Sequence, residues 1–310
     1  MKNRSCSIAG AVGLALCLGV ASAQQQVADP DFPAQVAHPA FANRHPRVGI
    51  DQAHKNFHTR QGRYKPFAAL LESDGYVVSS VTSFQPKSLR QIDILVIANA
   101  LGERKDGVMG SAFTPAECDA VRDWVRDGGS LLLVADHLPF GDAAAILAQR
   151  FGIEMGRGWA MDSRNSDGNP TILVFSADNH LLGDHAITRG RDAGEQIHRV
   201  VAFTGQSMSV PPGATSLMTM SDSAREAMTP EEAEKLAKGA PAGKTIAGHA
   251  QGLAMPFGSG RIAVFGEAAM FSAQVATFDG QSMKMGMNVP GNDDRQFALN
   301  VLHWLARLID

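Results

Sequence analysis

Cysteine is scarce in this chain: of its 310 residues only Cys6, Cys17 and Cys118 carry a thiol. The first two fall in an amino-terminal stretch that reads as a secretory signal. Lys2 and Arg4 precede an apolar run from Ile8 to Val20, and Ala21-Ser22-Ala23 supplies a small-x-small cleavage site. The competing readings are a short membrane anchor and a lipid attached at Cys17. The run is short of the ~20 residues a spanning helix needs, and bulky Leu16 disfavours lipidation. The processed chain, starting near Gln24, would keep Cys118 alone, which excludes an internal disulfide in the oxidising compartment that export implies. Basic charge is not in excess either. Loss of Lys2 and Arg4 with residues 1–23 leaves 26 basic against 31 acidic residues, a net of −5. No basic patch stands out, which argues against nucleic acid as a partner. No internal repeat and no second long apolar segment are present, so no transmembrane segment is expected after cleavage. The expected location is secreted or periplasmic.

What is present is a globular composition, 45% apolar and 19% charged. Residues 24–46 are polar, with prolines at 30, 33, 39 and 46, and read as an extended leader or linker. The domain is expected over 47–310. Its centre is Gly128-Gly129-Ser130-Leu131-Leu132-Leu133-Val134-Ala135-Asp136-His137-Leu138-Pro139. A glycine pair ends a helix, and an unalternating apolar run follows, as in a strand buried on both faces. The run stops at two ionisable groups, and Asp142 is placed to cap a helix over 143–150.

Other short strands are predicted at 47–50, 76–81 and 92–98. A helix over 66–73 stops at Gly75. Thr114-Pro115-Ala116-Glu117 has every part of a helix start, and that helix carries Cys118, Val121 and Val125 on one stripe. From 156 to 243 the pattern is less regular, with β-like runs at 171–175, 199–203 and 215–220 and a charged helix at 230–238. Strands resume at 253–257 and 261–265 around a Gly258-Ser259-Gly260 turn. Residues 268–292, rich in glycine and methionine, read as a loop, and an almost wholly apolar helix covers 293–309. Strands alternating with helices predict a mostly parallel sheet covered on both faces.

Phe257-Gly258-Ser259-Gly260-Arg261-Ile262-Ala263-Val264, His185-Ala186-Ile187-Thr188-Arg189-Gly190 and Gly128-Gly129-Ser130-Leu131-Leu132-Leu133 resemble segments of trehalose-utilisation-type proteins. With Asp51-Gln52-Ala53-His54, Gly266-Glu267-Ala268-Ala269-Met270 and Asn300-Val301-Leu302-His303-Trp304-Leu305, the set resembles a secreted bacterial branch of the class I glutamine amidotransferase-like superfamily. The resemblance covers 47–310 and implies a flavodoxin-like three-layer α/β/α sandwich. It does not supply the activity. Amidotransferases carry a Cys on the turn after the central strand and a His-x-Glu after a late strand. Here the turn reads Ala135-Asp136-His137 and Glu267 has no neighbouring His. Without that thiol, glutamine hydrolysis by the family mechanism is excluded.

Four predicted strands end in polar residues: Asp51, Asn99, Asp136 and Glu267. Parallel strands would deliver all four to one edge. Asp136, His137 and Glu267 are the candidates for proton transfer. Asp51, Asn99 and His54 are candidates for ligand binding. Asp51, His54 and His58 could together form a two-His-one-carboxylate set for a divalent metal. The plainer reading is that such residues only cap the turns that follow. Two functions stay open: a secreted hydrolase acting on a small polar or carbohydrate-like ligand through a carboxylate/His pocket, or a non-catalytic ligand-binding or scaffold domain of the same fold.

Overall fold

The computed structural model describes residues 25–278 and 281–310, so the expected signal segment lies outside the described residues. The strands used below are β1 (Gln25–Ala28), β2 (Arg47–Asp51), β3 (Val77–Val81), β4 (Ile94–Ala98), β5 (Ser130–Val134), β6 (Thr215–Thr219), β7 (Ala250–Phe257), β8 (Gly260–Phe265), β9 (Ala273–Phe278) and β10 (Gln281–Gly286). The helices are α1 (Lys65–Ser73), α2 (Pro115–Arg126), α3 (Phe140–Gln149) and α4 (Asp294–Leu305).

A seven-stranded sheet runs in the order β6-β7-β8-β5-β4-β2-β3. From β8 through β3 every pairing is parallel; β7 runs antiparallel to β8, and β6 antiparallel to β7. The unalternating runs are explained by burial on both sides. Leu132 and Val134 of β5, with Ile94, Val96 and Ala98 of β4, face a core shared with Phe67, Leu70 and Leu71 of α1 and Phe297, Val301 and Leu302 of α4. Leu131 and Leu133, with Leu95 and Ile97, face Cys118, Val121 and Val125 of α2 and Ala144 and Leu147 of α3. This is the three-layer, flavodoxin-like α/β arrangement. Among the described residues no helix is long and apolar enough to cross a membrane.

The start of α2 has a complete capping box: Thr114 accepts from the Glu117 backbone, and the Glu117 side chain accepts from the Thr114 N–H, an arrangement worth about 1 kcal/mol. Cys118 is fully buried on that helix, and burial pushes its thiol up to about 11. A thiol reagent should therefore label the native protein far more slowly than the denatured one. Equal rates in the two states would place Cys118 on an accessible surface.

Three expectations need correction. The helix after β5 begins at Phe140 with Pro139 at its cap position, so Asp142 lies inside the first turn and pairs with Arg157 at 3.0 Å. The glycine- and methionine-rich stretch is not all loop: β9 and β10 form an antiparallel hairpin. The stretch read as an extended leader or linker is packed onto the domain. β1 pairs antiparallel with β9, the Asp29 N–H donates to the Ala273 carbonyl at 2.8 Å, and Phe41 is buried in the α1/α4 core. Another small sheet (Trp159–Asp162, Ala224–Ala227, Lys244–Thr245) and the antiparallel pair Ile172–Ser176/Arg199–Phe203 elaborate the region between α3 and β7.

Candidate functional site

Because β2, β4, β5 and β8 run parallel, Asp51, Asn99, Asp136 and Glu267 all emerge at the same edge of the sheet. A cavity of about 410 Å³ opens there, within the usual range for small-ligand sites. Its wall includes His58, Arg63, Asn99, Asp136, His137 and Glu267, with Phe57, Phe140 and Phe203 as apolar surface. Larger hollows exist, of about 650 Å³ beside Arg47 and Asp93 and about 760 Å³ beside Arg164 and Asp222. The first lies at the opposite edge, where β2 begins, and the second is on the inserted sheet. Neither collects the strand-end residues.

The turn after β5 is held from two sides. Asn99, in the left-handed region at φ 48°, accepts at Oδ1 from the Asp136 N–H at 2.9 Å. Asparagine tolerates that backbone conformation better than most residues. Gln206 donates from its amide nitrogen to the carbonyls of Ala135 (2.6 Å) and Asp136 (3.1 Å). The Asp136 carboxylate accepts from the His137 N–H at 2.7 Å. His137 Nδ1 lies 2.9 Å from the Leu138 carbonyl, so Nδ1 carries a proton. In the neutral ring Nε2 is then the basic atom, and it stands 3.9 Å from the Asp136 carboxylate.

Glu267 is almost completely buried after β8. Its two oxygens accept from the backbone N–H groups of Ala269 (2.6 Å) and Met270 (2.8 Å). Burial, and next the charge of Asp136, push the Glu267 carboxyl well above the usual carboxylate range, outweighing those two N–H donors. Gly266, just before it, has no room for a side chain: a Cβ there would sit 2.2 Å from the Gln206 carbonyl oxygen.

Asp51 and His54 depart from the expected site. They do not line this cavity. Both Asp51 oxygens are engaged locally, by the Ala53 N–H (2.9 Å), the Asn56 amide (3.0 Å) and His54 Nδ1 (2.8 Å). His54 is wedged between the Phe84 and Phe113 rings, with Nε2 3.4 Å from Glu117. Burial opposes its charged form, but Asp51 and then Glu117 prevail and its pKa is raised. This pair fastens the loop after β2 to the start of α2, the plainer capping role. His58 turns the other way, with Nδ1 3.2 Å from the Asn99 amide nitrogen. The expected Asp51–His54–His58 metal set is thus not assembled, and among the described residues no group of three or more His, Cys, Asp or Glu is placed to hold a metal.

The sequence reading missed Arg63, Phe57, Gln206 and Gln274. Arg63 faces Asp136 and lies over the half-exposed Phe57 ring at 4.9 Å. Gln274 comes from β9, in the stretch read as loop. Two buried polar atoms of cavity-lining residues have no partner among the described residues: His58 Nε2 and Gln274 Oε1. Each such atom costs about 1–3 kcal/mol when left unpaired.

No family model matches this chain, and no curated protein matches it. Among solved structures, the mmIFT52 N-terminal domain superposes with a TM-score of 0.58 at 15% identity, over 83% of this chain and 96% of that domain. A ThuA-like protein from Bacteroides uniformis matches at TM-score 0.44 and 14% identity, over 86% of this chain and 95% of its own. Another, from Parabacteroides merdae, matches at 0.46 and 10%, over 85% and 90%. At these identities what is shared with the mmIFT52 domain is the fold, which is the flavodoxin-like α/β arrangement described above.

Proposed function

We propose that this chain is a thiol-independent hydrolase acting on a small polar, sugar-like molecule in the carboxyl-edge cavity. The observation that carries the reading is the pairing of environments around Asp136 and Glu267. Glu267 is buried and holds its proton, while Asp136 sits nearer solvent beside Arg63 and His137. A buried carboxyl that keeps its proton, set beside a carboxylate nearer solvent, is a common basis of acid and base roles in hydrolysis. Glu267 would donate to the leaving group, and Asp136, with the Nε2 of His137, would take a proton from water. Phe57 and Phe140 offer an apolar surface to the ligand at the cavity wall.

The test is turnover of a panel of 4-nitrophenyl glycosides and esters by the purified protein. Asp136→Asn should lower kcat at least about 100-fold with the fold intact. Unchanged turnover in that variant would remove Asp136 from the chemistry. A second reading, ligand binding without turnover, is favoured by one observation: both Glu267 oxygens already accept backbone N–H groups. It predicts calorimetric binding of D-glucose or a relative with no hydrolysis of any panel member.

Export belongs to the same proposal. The mature protein should begin near Gln24 and reside outside the cytoplasm, and an exported form that retains Met1 would refute this.

A further inference from the structure

We propose that His58 is a fixed hydrogen-bond donor that positions an acceptor oxygen of the ligand. This rests on the reading of the carboxyl-edge cavity as a ligand site. The Asp136 backbone N–H can only donate. It donates to Asn99 Oδ1 at 2.9 Å, so the atom Asn99 turns to His58 is its amide nitrogen. That nitrogen also can only donate. His58 Nδ1, 3.2 Å away, must therefore accept and carries no proton. A neutral imidazole has one N–H, which leaves it on Nε2.

Turning the Asn99 amide over would set two donors against each other at Asp136. Turning the imidazole over would set a ring carbon against the Asn99 amide. The tautomer is thus dictated by a backbone group acting through one intervening side chain, that of Asn99. Burial, and then the Arg63 charge, keep the ring neutral by pushing its pKa down to about 3. Tyr64 packs against it at 4.8 Å between ring centres. Among the described residues Nε2 has no partner; it is closed to solvent behind the cavity wall that His58 helps to form, and a small shift of that wall on ligand entry would bring an oxygen to it. A hydroxyl, carbonyl or carboxylate oxygen of the ligand is the complement of such a donor. The role differs from the one expected of a histidine four residues from another. His58 neither binds a metal with His54 nor moves a proton; it holds one still.

The experiment is histidine-selective ¹⁵N NMR of the full chain from about pH 5 to pH 8, with D-glucose, myo-inositol and D-gluconate as probes. The expected spectrum shows His58 with bare Nδ1 and protonated Nε2 throughout, and an Nε2–H signal that shifts on adding a probe. His58→Gln, which can keep a donor near that place, should bind the probe within about 3-fold of wild type. His58→Phe should weaken it about 10-fold, the size of one lost hydrogen bond. An Nδ1–H tautomer in the wild-type spectrum overturns the assignment, whether or not the variants fold. A probe that shifts His137 while leaving His58 Nε2 unmoved overturns it too, and leaves the ligand site standing. Failure of all probes to bind overturns both this inference and the functional reading beneath it.

Discussion

Between about pH 6.5 and pH 4 the wild-type protein should lose about 3 kcal/mol of stability that a His58→Phe variant does not lose. A histidine in the unfolded chain titrates near 6.5. Folded His58 is fully buried and accepts a proton only near pH 3. Above pH 6.5 both states are neutral and the residue exerts no pH effect. As the pH falls below that value the unfolded chain takes up a proton that the folded chain refuses, so stability falls. The slope is about 1.4 kcal/mol per pH unit for one proton, and it persists until about pH 3. His185, pushed down to about 4 chiefly by burial, acts in the same direction but is present in both proteins. Urea denaturation of the two proteins at pH 7, 5.5 and 4 reads the difference. Parallel stability profiles would mean that folded His58 takes up its proton in the ordinary range and is not enclosed as described.

Glu267 should show the opposite window. Glu267→Ala strips the acceptor from the Ala269 and Met270 N–H groups inside the core. With two orphaned donors at roughly 1–3 kcal/mol each, the cost should be about 4 kcal/mol. Glu267→Gln keeps an oxygen and an amide near the same places and should fold. Its stability relative to wild type should rise with pH. The unfolded wild-type chain gives up this proton near pH 4.5, while the folded chain keeps it to a much higher pH. The stabilisation is therefore complete below about pH 4.5 and lost as pH climbs towards the folded pKa, again at up to about 1.4 kcal/mol per unit. Glutamine has no such proton. Thermal unfolding at pH 5, 6, 7 and 8 checks it: a gap between wild type and Glu267→Gln that stays constant with pH would mean Glu267 is ionised in the native state.

The sheet was legible because its strands are buried on both faces. Burial of both faces leaves continuous apolar runs such as Ile94–Ala98 and Leu131–Val134, and such runs end where the chain meets water. The strand ends therefore marked Asn99, Asp136 and Glu267 without any knowledge of the fold. What a run cannot show is which way a side chain turns once the strand has ended. Asp51 lies two residues short of Asn99 in the sheet, level with Ile97, and Ala53, His54 and Asn56 engage it there. His54 and His58 have the spacing of a shared helical face, but their segment is irregular and the two rings diverge. The β9–β10 hairpin was hidden for a different reason. Its alanine, glutamine, serine, lysine and methionine have weak strand preference, and its partner is remote. Arg63 and Gln206 gave no signal at all, because each acts across a gap closed only by tertiary packing.

The cavity wall draws on both ends of the chain. Gln26 of β1, Gln274 of β9 and Met285 of β10 all line it, and β1 is held by pairing with β9. A ribosome delivers β1 long before β9 and β10. Until β9 and β10 have been made, β1 lacks the strand it pairs with, while β2, β3 and β4 already have their neighbours. Contacts so distant in sequence close slowly and after local ones. The pocket is therefore completed late, and a chain that lacks β9 and β10, however well its sheet has formed, presents an open trough in place of a binding site.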